Sequence, residues 1–92
     1  SDATLKENIS TLDNPLAKVM GIRGTEYDWK EGNRNYQGHD IGVIAQEVEK
    51  VLPEAVSTKP DGTKGVHYNK LIPLLIEAVK DLSNKVDDIK DK

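Results

Sequence analysis

The run NKLIPLLIEAVKDLSNKVDDIKDK, residues 69–92, limits what this chain can fold into more than any other stretch. Ile72, Leu75, Val79, Leu82, Val86 and Ile89 recur in it at spacings of three and four, an unbroken a/d pattern over nearly three heptads. Only a helix gathers such residues into one stripe. Asn69 stands where an N-cap is expected. Pro73 falls in the first turn, whose N–H groups have no intrahelical acceptor to lose. Asp81–Lys85 and Asp88–Lys92 are i,i+4 pairs with the acid first, the favoured order. The apolar face is broad at its start, where Leu71, Leu74, Ile76 and Ala78 join it, and narrows to strict a/d after Val79. A helix lying wholly on its own domain would keep a broad face. The narrowing predicts instead that the first turns pack on the rest of the chain and that the tail joins copies of itself in a coiled coil. Val at a with Leu at d favours two strands. Ile76 at e and Ala78 at g widen the seam and favour more, so the pattern leaves the number open.

Upstream, residues 1–68 read as a small globular α+β part carrying this helix at 69–92, one structural domain overall. In DNPLAKVMG, Asn14 fits an N-cap, Pro15 the first helical position and Gly21 the position after the last turn, with Leu16, Val19 and Met20 on one face. TEYDWK alternates Thr25, Tyr27 and Trp29 with charged residues, the pattern of a half-buried strand. EGNRNYQGHD, polar and rich in Gly and Asn, predicts a loop, which could serve as an arm against a partner. IGVIAQEVEKVLP has Ile44, Val48, Val51 and Leu52 at helical spacing, with Pro53 just past the end. Ala55–Thr58 and Lys64–Tyr68 flank KPDGT, a hairpin signal.

Composition removes several classes of function. The net charge is −3 and no basic stripe is present, which disfavours nucleic-acid binding. Without cysteine there is no disulfide, thiolate catalysis or Cys-based zinc site. The longest apolar run, Leu71–Ile76, is far too short to span a membrane, and no signal-peptide pattern opens the chain. Two isolated histidines, His39 and His67, lack metal-ligand spacing, so neither metal nor cofactor is expected. His39, in the Gly-rich loop beside Asp40, is either a base oriented by that carboxylate or, the plainer reading, a surface residue. His67, in a strand beside Tyr68, reads as a hydrogen-bonded structural residue. Glu47 and Glu49 point to different helix faces and form no catalytic pair. GNRNYQG lacks the Lys-Ser/Thr of a phosphate loop. Ser1 and Lys6 have the chemistry of a Ser–Lys dyad, a hydroxyl with an amine that burial can strip of its proton. On spacing alone S-x4-K is a very weak signal that chance mostly explains, and the plainer reading is a mobile N-terminus.

Taken together and in order, SDATLKENI, YDWK, GVIAQEVEKVLPE and NKLIPLLIEAVK resemble one family over almost the whole chain. It is the intramolecular chaperone domain at the C-terminus of bacteriophage tail spikes and tail fibres, the S74 peptidase family. Endosialidase tail spikes and phage neck appendages carry it. A related domain occurs in the myelin regulatory factor family of membrane-tethered transcription factors. The resemblance implies a homotrimer that holds three chains in register, assists folding of the upstream β-helical stalk and then cuts itself off. Ser1 would attack the carbonyl of the residue before it and Lys6 would act as general base, so the chain as given would be the released product or one cut at that point. It further implies work in the host cytoplasm during phage assembly, with no nucleic-acid or membrane partner. Thr4 stands where members often carry Arg, so any role of that Arg is missing here. His39, Gln46 and His67 stand where supporting groups could be, without assigned roles. A non-catalytic trimerisation or adaptor module, and the equivalent domain of a membrane-tethered transcription factor, are the alternatives.

Overall fold

The computed structural model describes residues 1–91. Its elements are α1 (Pro15–Met20), β1 (Thr25–Asp28), β2 (His39–Gly42), α2 (Ala45–Val51), β3 (Val56–Thr58), β4 (Lys64–Val66) and α3 (Leu71–Lys90), with single 3-10 turns at Ala3–Leu5, Pro53–Ala55 and Tyr68–Lys70. The class is α+β, as the residue pattern predicts. The strands form two separate antiparallel hairpins, β1–β2 and β3–β4.

β3 and β4 form the hairpin expected around KPDGT, in the register Val56↔Val66 and Thr58↔Lys64. Gly62 sits in its turn at φ +90, a conformation that glycine alone adopts without strain, and donates its N–H to the Lys59 carbonyl at 2.9 Å. Ala55 and Tyr68 lie in the turns flanking the two strands. The first hairpin corrects the sequence reading. His39–Gly42 is a strand, where the sequence pattern predicts the end of a loop at Asp40 and the start of a helical stretch at Ile41; it pairs Thr25↔Gly42 through Asp28↔His39, so α2 starts only at Ala45. The loop between the strands stacks Tyr36 on Trp29, with ring centroids 4.6 Å apart, and Tyr27 meets Trp29 edge-on at 5.0 Å. A polar arm with an aromatic spine results.

The core is small: Val48, Leu52, Ala55, Leu71 and Leu74 are buried in one cluster, with Leu12, Val19, Ile22 and Val66 among the half-buried residues around it. α1 lies along α3. Leu16 and Val19 are half-buried there, whereas Met20, expected on the same face, is exposed. Asn14 precedes α1 in the left-handed region, φ 51, and its side chain makes no cap. The Asp81 carboxylate supplies one instead, accepting from Leu16 N at 3.3 Å. Gly21 ends α1 with φ −86, so it is not needed for a left-handed turn. A Cβ there would lie 3.1 Å from the Val51 side chain of α2, and that close approach is what favours glycine. Asn69 falls inside the 3-10 turn that leads into α3, and that helix has no side-chain N-cap.

α3 divides by face. Leu71, Leu74 and Ala78 are buried, while Ile72, Leu75, Val79, Leu82, Val86 and Ile89 are all exposed, together with Ile76. The a/d stripe therefore faces away from the chain's own core. Lys85 Nζ meets Asp81 Oδ1 at 2.5 Å, as its spacing predicts. The Asp88–Lys92 pair lies outside the described residues.

Candidate functional site

The first ten residues are exposed, yet they are not without local order. Asp2 caps the turn Ala3–Leu5, its Oδ1 accepting from Thr4 N and from Thr4 Oγ1, both at 2.9 Å. Those two bonds, the backbone one first, hold the Asp2 carboxyl below the usual carboxylate range. Leu5 N and Lys6 N close the turn onto the carbonyls of Asp2 and Ala3, at 3.0 and 3.1 Å. A single tight turn between the two residues brings their side chains back together, and Lys6 Nζ donates to Ser1 Oγ at 3.4 Å. Thr4 serves this turn through its hydroxyl. The Asp2 cap is the element that sequence reasoning missed; Asp followed two residues later by Thr was its signal.

The remaining candidates stand apart from this pair. His39 projects from β2, with Nδ1 2.8 Å from Asp28 Oδ1 and Nε2 3.2 Å from Glu26 Oε1. Asp28 first, and Glu26 next, raise its pKa above the ordinary 6.5. Its carboxylates are thus cross-strand neighbours and not the adjacent Asp40, which accepts from Trp29 Nε1 at 3.1 Å. His67 is exposed, and it is its backbone N–H that bonds, to the Ala55 carbonyl at 2.7 Å. Gln46 is exposed on α2. Glu47 grips Arg23, accepting from Nε at 2.9 Å, Nη2 at 2.6 Å and the backbone N–H at 3.1 Å. Glu49 accepts from Lys64 at 2.9 Å, so the two glutamates do serve different faces. No hydrogen bond joins residues 1–10 to His39, Gln46 or His67 among the described residues. Nor do three or more His, Asp or Glu gather there as a metal site. No described helix is long and apolar enough to cross a membrane.

Fold and site together define a small α+β module with a serine and a lysine on an open N-terminal turn and an uncovered helical stripe at the other end. Residues 1–57 match the peptidase S74 family, described as the chaperone of endosialidase, and the chain belongs to that family. Over its whole length it is 38% identical to the Long tail fiber protein Gp37 of Enterobacteria phage K3 and to that of Enterobacteria phage T2. Over 98% of its length it is 33% identical to the Gp37 of Salmonella phage S16. It spans only 8%, 7% and 13% of those three proteins. This is a domain of the chaperone type found in phage tail-fibre proteins. α3 lies beyond the residues of the family match but within the stretch shared with the Gp37 relatives.

Proposed function

We propose that this domain trimerises in parallel through the exposed stripe of α3, assists folding of a fibre stalk attached before Ser1, and then releases itself by cutting the peptide bond preceding Ser1. The observation that carries the reading is membership of a chaperone and peptidase family in a chain whose Lys6 Nζ lies 3.4 Å from Ser1 Oγ. The stripe supports the first step, since six apolar side chains at a/d positions are left without a partner in the single chain. Holding three chains in register turns a slow encounter of separate strands into a local process with a high effective concentration.

In the cleavage step Ser1 Oγ adds to the carbonyl carbon of the preceding residue while neutral Lys6 takes the hydroxyl proton. The C–N bond then breaks, and the protonated lysine returns the proton to the departing Ser1 nitrogen. The acyl group now sits on Oγ as an ester. Water hydrolyses it to a carboxylate on the stalk and a free hydroxyl on Ser1. Lysine acts as a base only once it is shielded from water, and Lys6 is open to solvent in the single chain. The stalk or neighbouring copies must therefore cover it first. Cutting after folding would make assembly irreversible and leave the stalk kinetically stable.

The test is expression with an upstream fibre segment. Wild type is expected to yield a fragment starting at Ser1, while Ser1→Ala and Lys6→Ala remain full length. Normal cutting by both variants overturns the dyad. A non-catalytic association module is the second reading, favoured by the exposure of Lys6; it expects the same oligomer and no cleavage in any version.

A further inference from the structure

We infer that Asp81 gates self-association: by holding both the start of α1 and the Lys85 ammonium, it keeps a like-charged lysine pair out of the seam between copies. The inference rests on the parallel association proposed above.

With Val79 and Val86 at a, Lys85 falls at g and Lys90 at e. In a parallel coiled coil, g of one helix faces e of the next helix five residues on. One heptad earlier the g position is Ala78, buried against the chain's own domain, and the e position is Ser83, so no charge meets there. At the next the contact sets Lys85 against Lys90, two cations. Among the described residues no e or g position carries an acid, so no interhelical ion pair offsets this repulsion. Within the chain, however, Lys85 Nζ is drawn 2.5 Å from Asp81 Oδ1. The other carboxylate oxygen, Oδ2, accepts from Leu16 N at 3.3 Å. Asp81 is only 25% exposed, being held between α1 and α3, whereas Lys85 is 58% exposed. Lys85 first, and the Leu16 N–H after it, keep the Asp81 carboxyl below the usual range, so it stays ionised at neutral pH. One carboxylate thus serves the fold and the seam together. It fixes α1 on α3, and it neutralises the seam lysine while turning its head towards α1.

The experiment is sedimentation of the self-associated chain at about 20 mM and about 500 mM salt, between which the screening length falls several-fold. Wild type is expected to associate similarly at both. Asp81→Asn keeps an oxygen for Leu16 N but loses the charge. With three lysine contacts in a trimer, each worth about a factor of two, it should dissociate roughly tenfold more readily at low salt and recover at high salt. Asp81→Asn with Lys85→Gln should associate like wild type at both salts. An Asp81→Asn variant with the wild-type salt response, or a double variant that does not recover, overturns the gate alone. A wild-type chain that stays monomeric at both salts overturns the association on which it rests, and the gate with it.

Discussion

Along α3, Leu71, Leu74 and Ala78 are buried against the domain, while Ile72, Leu75, Val79, Leu82, Val86 and Ile89 on the neighbouring face are each at least 40% exposed. Both faces are apolar. What separates them is angular phase: the buried residues sit at c and g of the heptad, the exposed ones at a and d. Hydrophobicity alone does not report where a side chain goes, since one helix can carry one contact that its own chain completes and another that it leaves open. The division also runs along the axis. No α3 residue after Ala78 is buried among the described ones, and the last hydrogen bond from α3 to the body is the one from Leu16 N to Asp81.

The largest expected effect comes from the closed face. Leu74 is 1% exposed, at the centre of a core with few members. Leu74→Ala should cost about 2–5 kcal/mol. A domain of this size holds only roughly 5–10 kcal/mol in total, so the melting temperature should fall by about 10 °C or more. Leu75→Ala, one residue on and half exposed, should melt close to wild type when measured dilute enough to be monomeric. Equal losses for the two would break the distinction between the faces.

On the open face the expected change is in association. Leu82→Asp places an unpaired charge in the proposed seam and should weaken self-association by more than about 100-fold. The circular dichroism of the dilute chain should be retained, because Leu82 is 51% exposed there. Sedimentation equilibrium checks this. An oligomer of unchanged affinity would place the seam elsewhere.

How much of this was legible in the sequence follows from how local each rule is. The stripe of α3, the turn at Gly62, Pro15 at the head of α1 and the alternation in β1 all depend on residues within a few positions of one another. β2 was not legible, because HDIG has one apolar residue and its partner strand lies across a polar loop. The cap on α1 comes from Asp81, 65 residues downstream of Leu16, and no local signal marks it. Asn14 satisfied the local rule and still makes no cap. At the candidate site, a spacing of five between Ser1 and Lys6 says little until the Asp2 turn is known to fold one back towards the other. Lys6 is exposed in the single chain, so the covering that its proposed role as a base would require is not written in these residues.

A smaller effect tests whether the anchored end of α3 also holds the arm. Tyr68 lies in the turn just before α3, and its hydroxyl accepts from Val43 N at 3.1 Å, at the root of the β1–β2 arm. Glycine at position 42 makes room: a Cβ there would stand 2.6 Å from Tyr68 Oη and 3.0 Å from Tyr27 Oη. Gly42→Ala should therefore cost about 1–3 kcal/mol through overpacking and loss of that bond. Adding Tyr68→Phe removes the nearest clashing atom, so the pair should be less damaging than the sum of the singles. Strict additivity in denaturant titrations would show that arm and helix are not coupled through this contact.

The smallest effect lies in the arm itself and contrasts with both faces of α3, whose apolar contacts have no proton to lose near neutrality. His39 is held by Asp28 and then Glu26, with Asp40 adding a weaker attraction, and its pKa in the folded chain is raised above 6.5. A raised folded pKa means that the folded state binds the proton more tightly than the unfolded one. The stabilisation is then fully present below pH 6.5, the ordinary value, and is lost as pH rises through the higher folded value. Above that point Asp28 and Glu26, on one face of β1, face each other without a cation between them, so the hairpin should loosen slightly. Exposure of all three side chains keeps the effect small. An NMR titration should put the His39 midpoint above 6.5 in the folded chain. His39→Gln should remove the pH dependence of arm amide exchange in that window while leaving self-association unchanged. If oligomer affinity instead follows the His39 titration, the arm and the helical stripe belong to one interface, and the separation between the polar arm and the apolar helix fails.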